Sequence, residues 1–190
     1  MREAAAALAG LAAAGAVAAL PGAGPAALGV VALGTGAIAA WIAWHDVVDF
    51  TVPDGAVIAL AALGAGLRLA DGSAAGEALA GTLSALAIDA VLSGGGLLAL
   101  REYYFRRHGR EGIGFGDVKL AAAGGVLVGT TAFAWALLAA SLAGIAFVLA
   151  RRCRAPLSSS EKLAFGAVLA PAVWIVWLAE QAPRLGPLLR

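Results

Sequence analysis

The sequence predicts an all-α protein, a polytopic transmembrane helical bundle with about seven membrane-crossing helices (six to eight). Three observations carry that expectation. Hydrophobic residues make up 62% of the 190 positions and charged residues only 13%, well below the ~25% charged content of a soluble domain. The mean hydropathy is +0.90, and the apolar residues fall in runs of spanning length divided by short polar breaks. Gly (26 residues) and Ala are abundant, as suits helices that pack closely in lipid through small side chains. Such a chain cannot clothe a water-facing surface.

The runs follow in order. Residues 4–20 form the first, stopped by Pro21-Gly22. Arg2 and the small residues beyond also resemble a signal peptide, but further apolar runs follow, which favours a first transmembrane helix. Pro25 restarts the chain, and 26–44 makes a second span whose Trp41 and Trp44 suit an interfacial belt. A short acidic loop carrying Asp46, Asp49 and Asp54 leads to a third, short span at 56–69. Asp71-Gly72-Ser73 reads as a turn. A fourth helix is expected over 77–105, with Gly94-Gly95-Gly96 as a kink or close-packing point. Its end sets Tyr103, Tyr104 and Phe105 beside Arg106, Arg107 and Arg110, a membrane-interface pattern.

As a single helix, residues 117–150 would be about 50 Å long against a hydrocarbon core of ~30 Å. Two crossings, 118–128 and 132–150, joined at Gly129-Thr130-Thr131, fit better. Arg151, Arg152 and Arg154 stop the second of them, 155–160 is a polar connector, and 163–178 is the last span. No repeat or low-complexity linker divides the chain, so residues 1–190 read as one domain.

Charge sets the orientation. With the N-terminus inside, only Arg68, Arg184 and Arg190 fall on the external side, in keeping with the positive-inside rule. The same count puts Asp46 and Asp117 on the cytoplasmic side together. The net charge of +1 argues against nucleic acid as a partner, which leaves membrane lipid. A single cysteine, Cys153, excludes an intramolecular disulfide. With only His45 and His108 besides, neither a Cys-rich zinc site nor any other metal or cofactor is expected.

Chemistry concentrates in two acidic positions. Gly112-Ile113-Gly114-Phe115-Gly116-Asp117-Val118-Lys119-Leu120 places a carboxylate behind alternating glycines at the head of an apolar run. An acid so close to hydrocarbon is expensive unless something hydrates or pairs it, which makes it a functional candidate. Asp46 ends an earlier run in the same way. Brought close in a poorly solvated site, two carboxylates share one proton, and such a pair suits aspartyl proteolysis. Gly114 and Gly116 are expected to give the backbone conformations closed to other residues and to let a substrate strand come near.

Plainer readings stand beside these. Asp117 alone fits a helix N-cap and Asp46 alone an interfacial loop acid. Asp49 and Asp54 fit a loop and a cap, Lys119 fits a snorkelling side chain, and His45 fits an interfacial position. Asp89, mid-helix, is expected to hydrogen-bond within the bundle. An alternative function class, a small proton-coupled transporter, would use Asp89 and Asp117 as a relay.

On these motifs the chain resembles the prepilin peptidase family of intramembrane aspartyl proteases. Gly114-Phe115-Gly116-Asp117-Val118-Lys119-Leu120 matches the family's Gly-x-Gly-Asp-x-Lys-Leu, and Asp46 with Pro53-Asp54 matches its Asp followed after six residues by Pro-Asp. Phe165-Gly166-Ala167-Val168-Leu169-Ala170-Pro171 is a third, weaker match. The resemblance implies Asp46 and Asp117 as the catalytic pair, with Gly114, Gly116, Lys119 and Asp54 as substrate-binding residues. It implies substrates that are pilin, pseudopilin or Flp-type precursors, with a short basic leader, a glycine at the cut and a hydrophobic N-terminal helix. It also implies a bacterial inner-membrane enzyme with its active site facing the cytoplasm. Nothing here resembles the cysteine-paired domain that accompanies N-methylation in many relatives, so a short form without methyltransferase activity is expected.

Overall fold

A computed structural model describes residues 25–153 and 163–185. Five helices make up the secondary structure of these residues: α1 Pro25–Asp49, α2 Asp54–Ala74, α3 Leu79–His108, α4 Phe115–Arg152 and α5 Gly166–Leu185. Proline opens α1, where its fixed φ suits a first helical residue and its missing N–H has no partner to lose. Gly109, in the left-handed region at φ 67°, closes α3 and returns its N–H to Phe105 O at 2.8 Å.

α4 is the central element, packed against α2, α3 and α5, while α1 leans mainly on α5. Small residues allow the close approach. A Cβ on Gly64 of α2 would stand 2.6 Å from the backbone of Leu127 in α4. Between α1 and α5, the Trp174 indole fills the space that Gly36 leaves and donates to Ala32 O at 3.0 Å. Val31, Ile42, Leu120, Leu169 and Val173 are among the largest fully buried side chains. Thr35 is buried beside them because its hydroxyl bonds back to Val31 O at 2.9 Å.

The break expected at 129–131 falls on Gly129, whose φ of 78° and ψ of 160° are not helical. Nine residues of straight helix would separate Gly124 from Phe133 by ~13.5 Å. Yet a Cβ on Gly124 would lie 3.0 Å from the Phe133 ring. The second segment of α4 therefore turns back toward the end it came from, and Gly144 accordingly sits beside Leu163, just ahead of α5.

Three sequence expectations need correction. The count of about seven crossings is not supported: among the described residues four helices, α1 to α4, are long and apolar enough to cross a membrane. The two runs at 118–128 and 132–150 both lie inside α4, and Glu180, Gln181 and Arg184 dilute the apolar run of α5. The first expected run, 4–20, lies outside the described residues. Second, Asp71-Gly72-Ser73 is not a turn but the end of α2. Gly72 is buried against Thr82, and the chain turns instead at Gly76, φ 74°. Third, the acidic loop shrinks to 50–53, because Asp46 and Asp49 belong to α1 and Asp54 begins α2.

Candidate active site

Asp46 lies near the end of α1 and Asp117 in the first turn of α4. Both are buried, at 5% and 8% exposure. They meet at the start of α5. The first amides of a helix have no carbonyl one turn earlier to bond, and here a carboxylate from another helix supplies the partner. The Ala167 N–H donates to Asp46 Oδ2 at 2.8 Å, across 121 positions of sequence. The Gly166 amide lies near both carboxylates, and the Gly114 amide near Asp117.

The pair has a shared outlook. A Cβ on Gly166 would sit 3.0 Å from Asp46 Oδ2 and 3.2 Å from Asp117 Oδ1. Both carboxylates thus border the side of Gly166 where any other residue would carry its side chain. The connector 50–53 lies over it. Phe50 takes a left-handed φ of 52°, unusual for a residue with a Cβ, and donates its N–H to Asp46 O at 3.1 Å. Val52 then packs on the Gly116 and Gly166 backbones.

The sequence profile of the type IV leader peptidase family matches residues 32–149, a stretch that holds both aspartates. The chain belongs to the type IV leader peptidase family. Membership makes it a peptidase, as the motifs implied, and with four long apolar helices it is a multi-pass membrane protein. Comparison with curated proteins gives no match, and comparison with solved structures gives none either.

The remaining residues of this leader peptidase are placed as follows. Gly114 is the N-cap of α4 at φ −67°, and neither it nor Gly116 takes a positive φ. The expectation of special backbone torsions there is corrected. Gly116 is needed for space, since a Cβ would meet Val52 Cγ2 at 2.9 Å. The chain's own Val52 is the neighbour that the missing side chain admits.

Lys119 does not simply snorkel: its Nζ bonds Asp54 Oδ1 at 2.6 Å and lies 5.2 Å from the centre of the Phe115 ring. This ion pair stands at one end of a groove of about 470 Å³ whose walls are otherwise apolar, from Val57, Ile58 and Ala61 of α2, Ala90 of α3 and Ala122, Ala123 and Val126 of α4. His45 is turned to Asp49 at 3.3 Å and stacks on Trp41.

Asp89 belongs elsewhere. It accepts the Thr130 N–H at 2.9 Å and hydroxyl at 2.7 Å, and pairs with Arg68 at 2.5 Å. Thr130 is thirteen positions beyond Asp117 on α4, roughly 20 Å of helix, so this cluster and the Asp46–Asp117 pair are separate. Reading the sequence for acids alone missed Gly166 and Ala167. The signal was present in the third motif match, but a glycine that matters through a missing atom does not stand out beside carboxylates.

Proposed function

We propose that the protein is an intramembrane aspartyl endopeptidase that removes the short basic leader from pilin, pseudopilin or Flp-type precursors at the cytoplasmic membrane face. The observation that carries this reading is the convergence of two buried carboxylates, from α1 and α4, on the single space in front of Gly166. In the reaction the ionised carboxylate takes a proton from a water as its oxygen attacks the scissile carbonyl. The protonated partner donates to the carbonyl oxygen. Collapse of the tetrahedral intermediate then expels the amine, which leaves with a proton from the pair.

Charge supports the orientation. Arg101, Arg106, Arg107 and Arg110 lie in the chain just ahead of the aspartate-bearing end of α4. Arg68 and Arg184 are held at the far end by Asp89 and Asp71. By the positive-inside rule the aspartates then face the cytoplasm, as expected of a bacterial inner-membrane enzyme. The apolar groove between α2, α3 and α4 offers a seat for the hydrophobic helix of the precursor, with the Asp54–Lys119 pair at its mouth.

Lys119→Met is accordingly expected to raise KM several-fold with kcat unchanged. Stability should move by no more than ~1 kcal/mol, since the pair is partly exposed. Steady-state kinetics and thermal unfolding in detergent check this, and an unchanged KM counts against the groove as the seat. The function itself is tested by co-expression with candidate precursors and mass spectrometry of the product. The expected product begins at the residue after the leader's glycine. A precursor that stays full length with the wild type, as it does with Asp117→Asn, counts against the reading.

A further inference from the structure

Building on the aspartyl reading above, we propose that Gly166 is a positioning residue of the reaction, kept without a side chain so that the attacking water can bridge the two aspartates. A Cβ, bonded ~1.5 Å from Cα, would lie 3.0 Å from Asp46 Oδ2 and 3.2 Å from Asp117 Oδ1, in contact with both acids and in the way of a water held between them at the ~2.5–3.0 Å of a hydrogen bond. Among the glycines of residues 54–185, Gly166 alone would put a Cβ against two acidic side chains.

Backbone torsion does not explain the glycine, because Gly166 is not among those with a positive φ. Close helix packing does not explain it either. The third neighbour of its Cβ is a methyl, Val52 Cγ2 at 3.2 Å, and no backbone atom of another helix is among the nearest. Contrast Gly64, where a Cβ would strike the Leu127 main chain. The amide of Gly166 also lies near both acids. The residue therefore acts through the two aspartates and the water they hold.

The test is Gly166→Ala in the full chain, assayed on a cleaved precursor beside Asp46→Asn and Asp117→Asn. The added methyl crowds the water off the two acids, so kcat is expected to fall at least about a hundredfold. KM should stay within about threefold, since only a transition-state interaction is removed, and the melting temperature should hold. A second variant, Gly166→Ala with Val52→Ala, removes the hydrocarbon neighbour but leaves the methyl between the acids. It is expected to remain inactive, and it supplies a relieved protein should the single variant fold poorly.

Recovery of activity in the double variant would assign the loss to crowding against Val52 and overturn the proposal. So would a Gly166→Ala enzyme with kcat within about tenfold of wild type. Failure of the broader reading looks different. Active Asp46→Asn or Asp117→Asn protein sinks the aspartyl mechanism itself, whereas inactive Asn variants beside an active Gly166→Ala sink only this inference.

Discussion

Asp46→Asn and Asp117→Asn are each expected to abolish precursor cleavage, with kcat falling by about 10²–10⁴-fold or more, the contribution of a positioned proton donor or acceptor. An amide can neither take the proton from water nor hand one to the carbonyl oxygen. Folding should survive, because Asn keeps the size of Asp and an oxygen able to accept the Ala167 N–H now bonded to Asp46. Neither variant buries more charge than a pair that shares one proton, so neither should melt much below wild type. The double variant should be no worse than the worse single one, because the two acids act as a unit. Cleavage assays with melting curves on the same preparations decide it. A folded Asn variant that still cuts would remove the pair from the chemistry.

Arg68→Met is expected to have the largest effect on stability, about 2 kcal/mol. That is somewhat below the ~3–5 kcal/mol of stranding one partner of a fully buried ion pair, because this pair is partly exposed. The side chains of Arg68 and Asp89 are 29% and 15% exposed, so neither charge is well hydrated. The sharper expectation concerns the double variant. Arg68→Met with Asp89→Asn should be more stable than Arg68→Met alone, because the second change neutralises the carboxylate that the first leaves without a counter-charge. Asn can still accept the Thr130 N–H that Asp89 now holds. Cleavage per folded molecule should stay near wild type throughout. Loss of cleavage in Asp89→Asn at an unchanged melting temperature would point back to a relay through Asp89.

Much of the site was legible because an acid in an apolar run has few innocent explanations. Asp46 and Asp117 drew attention on that ground, and the glycines and Lys119-Leu120 around Asp117 added a motif. What was not legible depended on partners remote in the chain. Arg68 resolves the awkward burial of Asp89 across 21 positions and two helices. Gly116 looked like a torsional device, but its reason is Val52, which the connector brings on top of it.

The break that hydropathy places at Gly129-Thr130-Thr131 is present at Gly129. The crossing count lacks support elsewhere: only α1 to α4 are long and apolar enough among the described residues, and Glu180, Gln181 and Arg184 dilute α5. The turn misplaced at Asp71-Gly72-Ser73 has a local sequence suited to a bend. Gly72 stays helical because it is buried against Thr82 of α3.

Two aspartates of this bundle play the same structural part, since each closes the exposed start of a helical segment that is not its own. Asp46 receives the first amides of α5, and Asp89 receives the amide of Thr130. In both cases the acid belongs to the earlier segment and the amide to the later one. A chain emerging from the ribosome therefore delivers each carboxylate into the bilayer before the helix that will quench it. The order of synthesis leaves each acid without its later partner for a time, and arrival of α5 brings the proposed hydrolytic centre together. Until α5 docks, the nascent enzyme has its two acids but no fixed geometry between them, and so should be unable to cut while it is still being made.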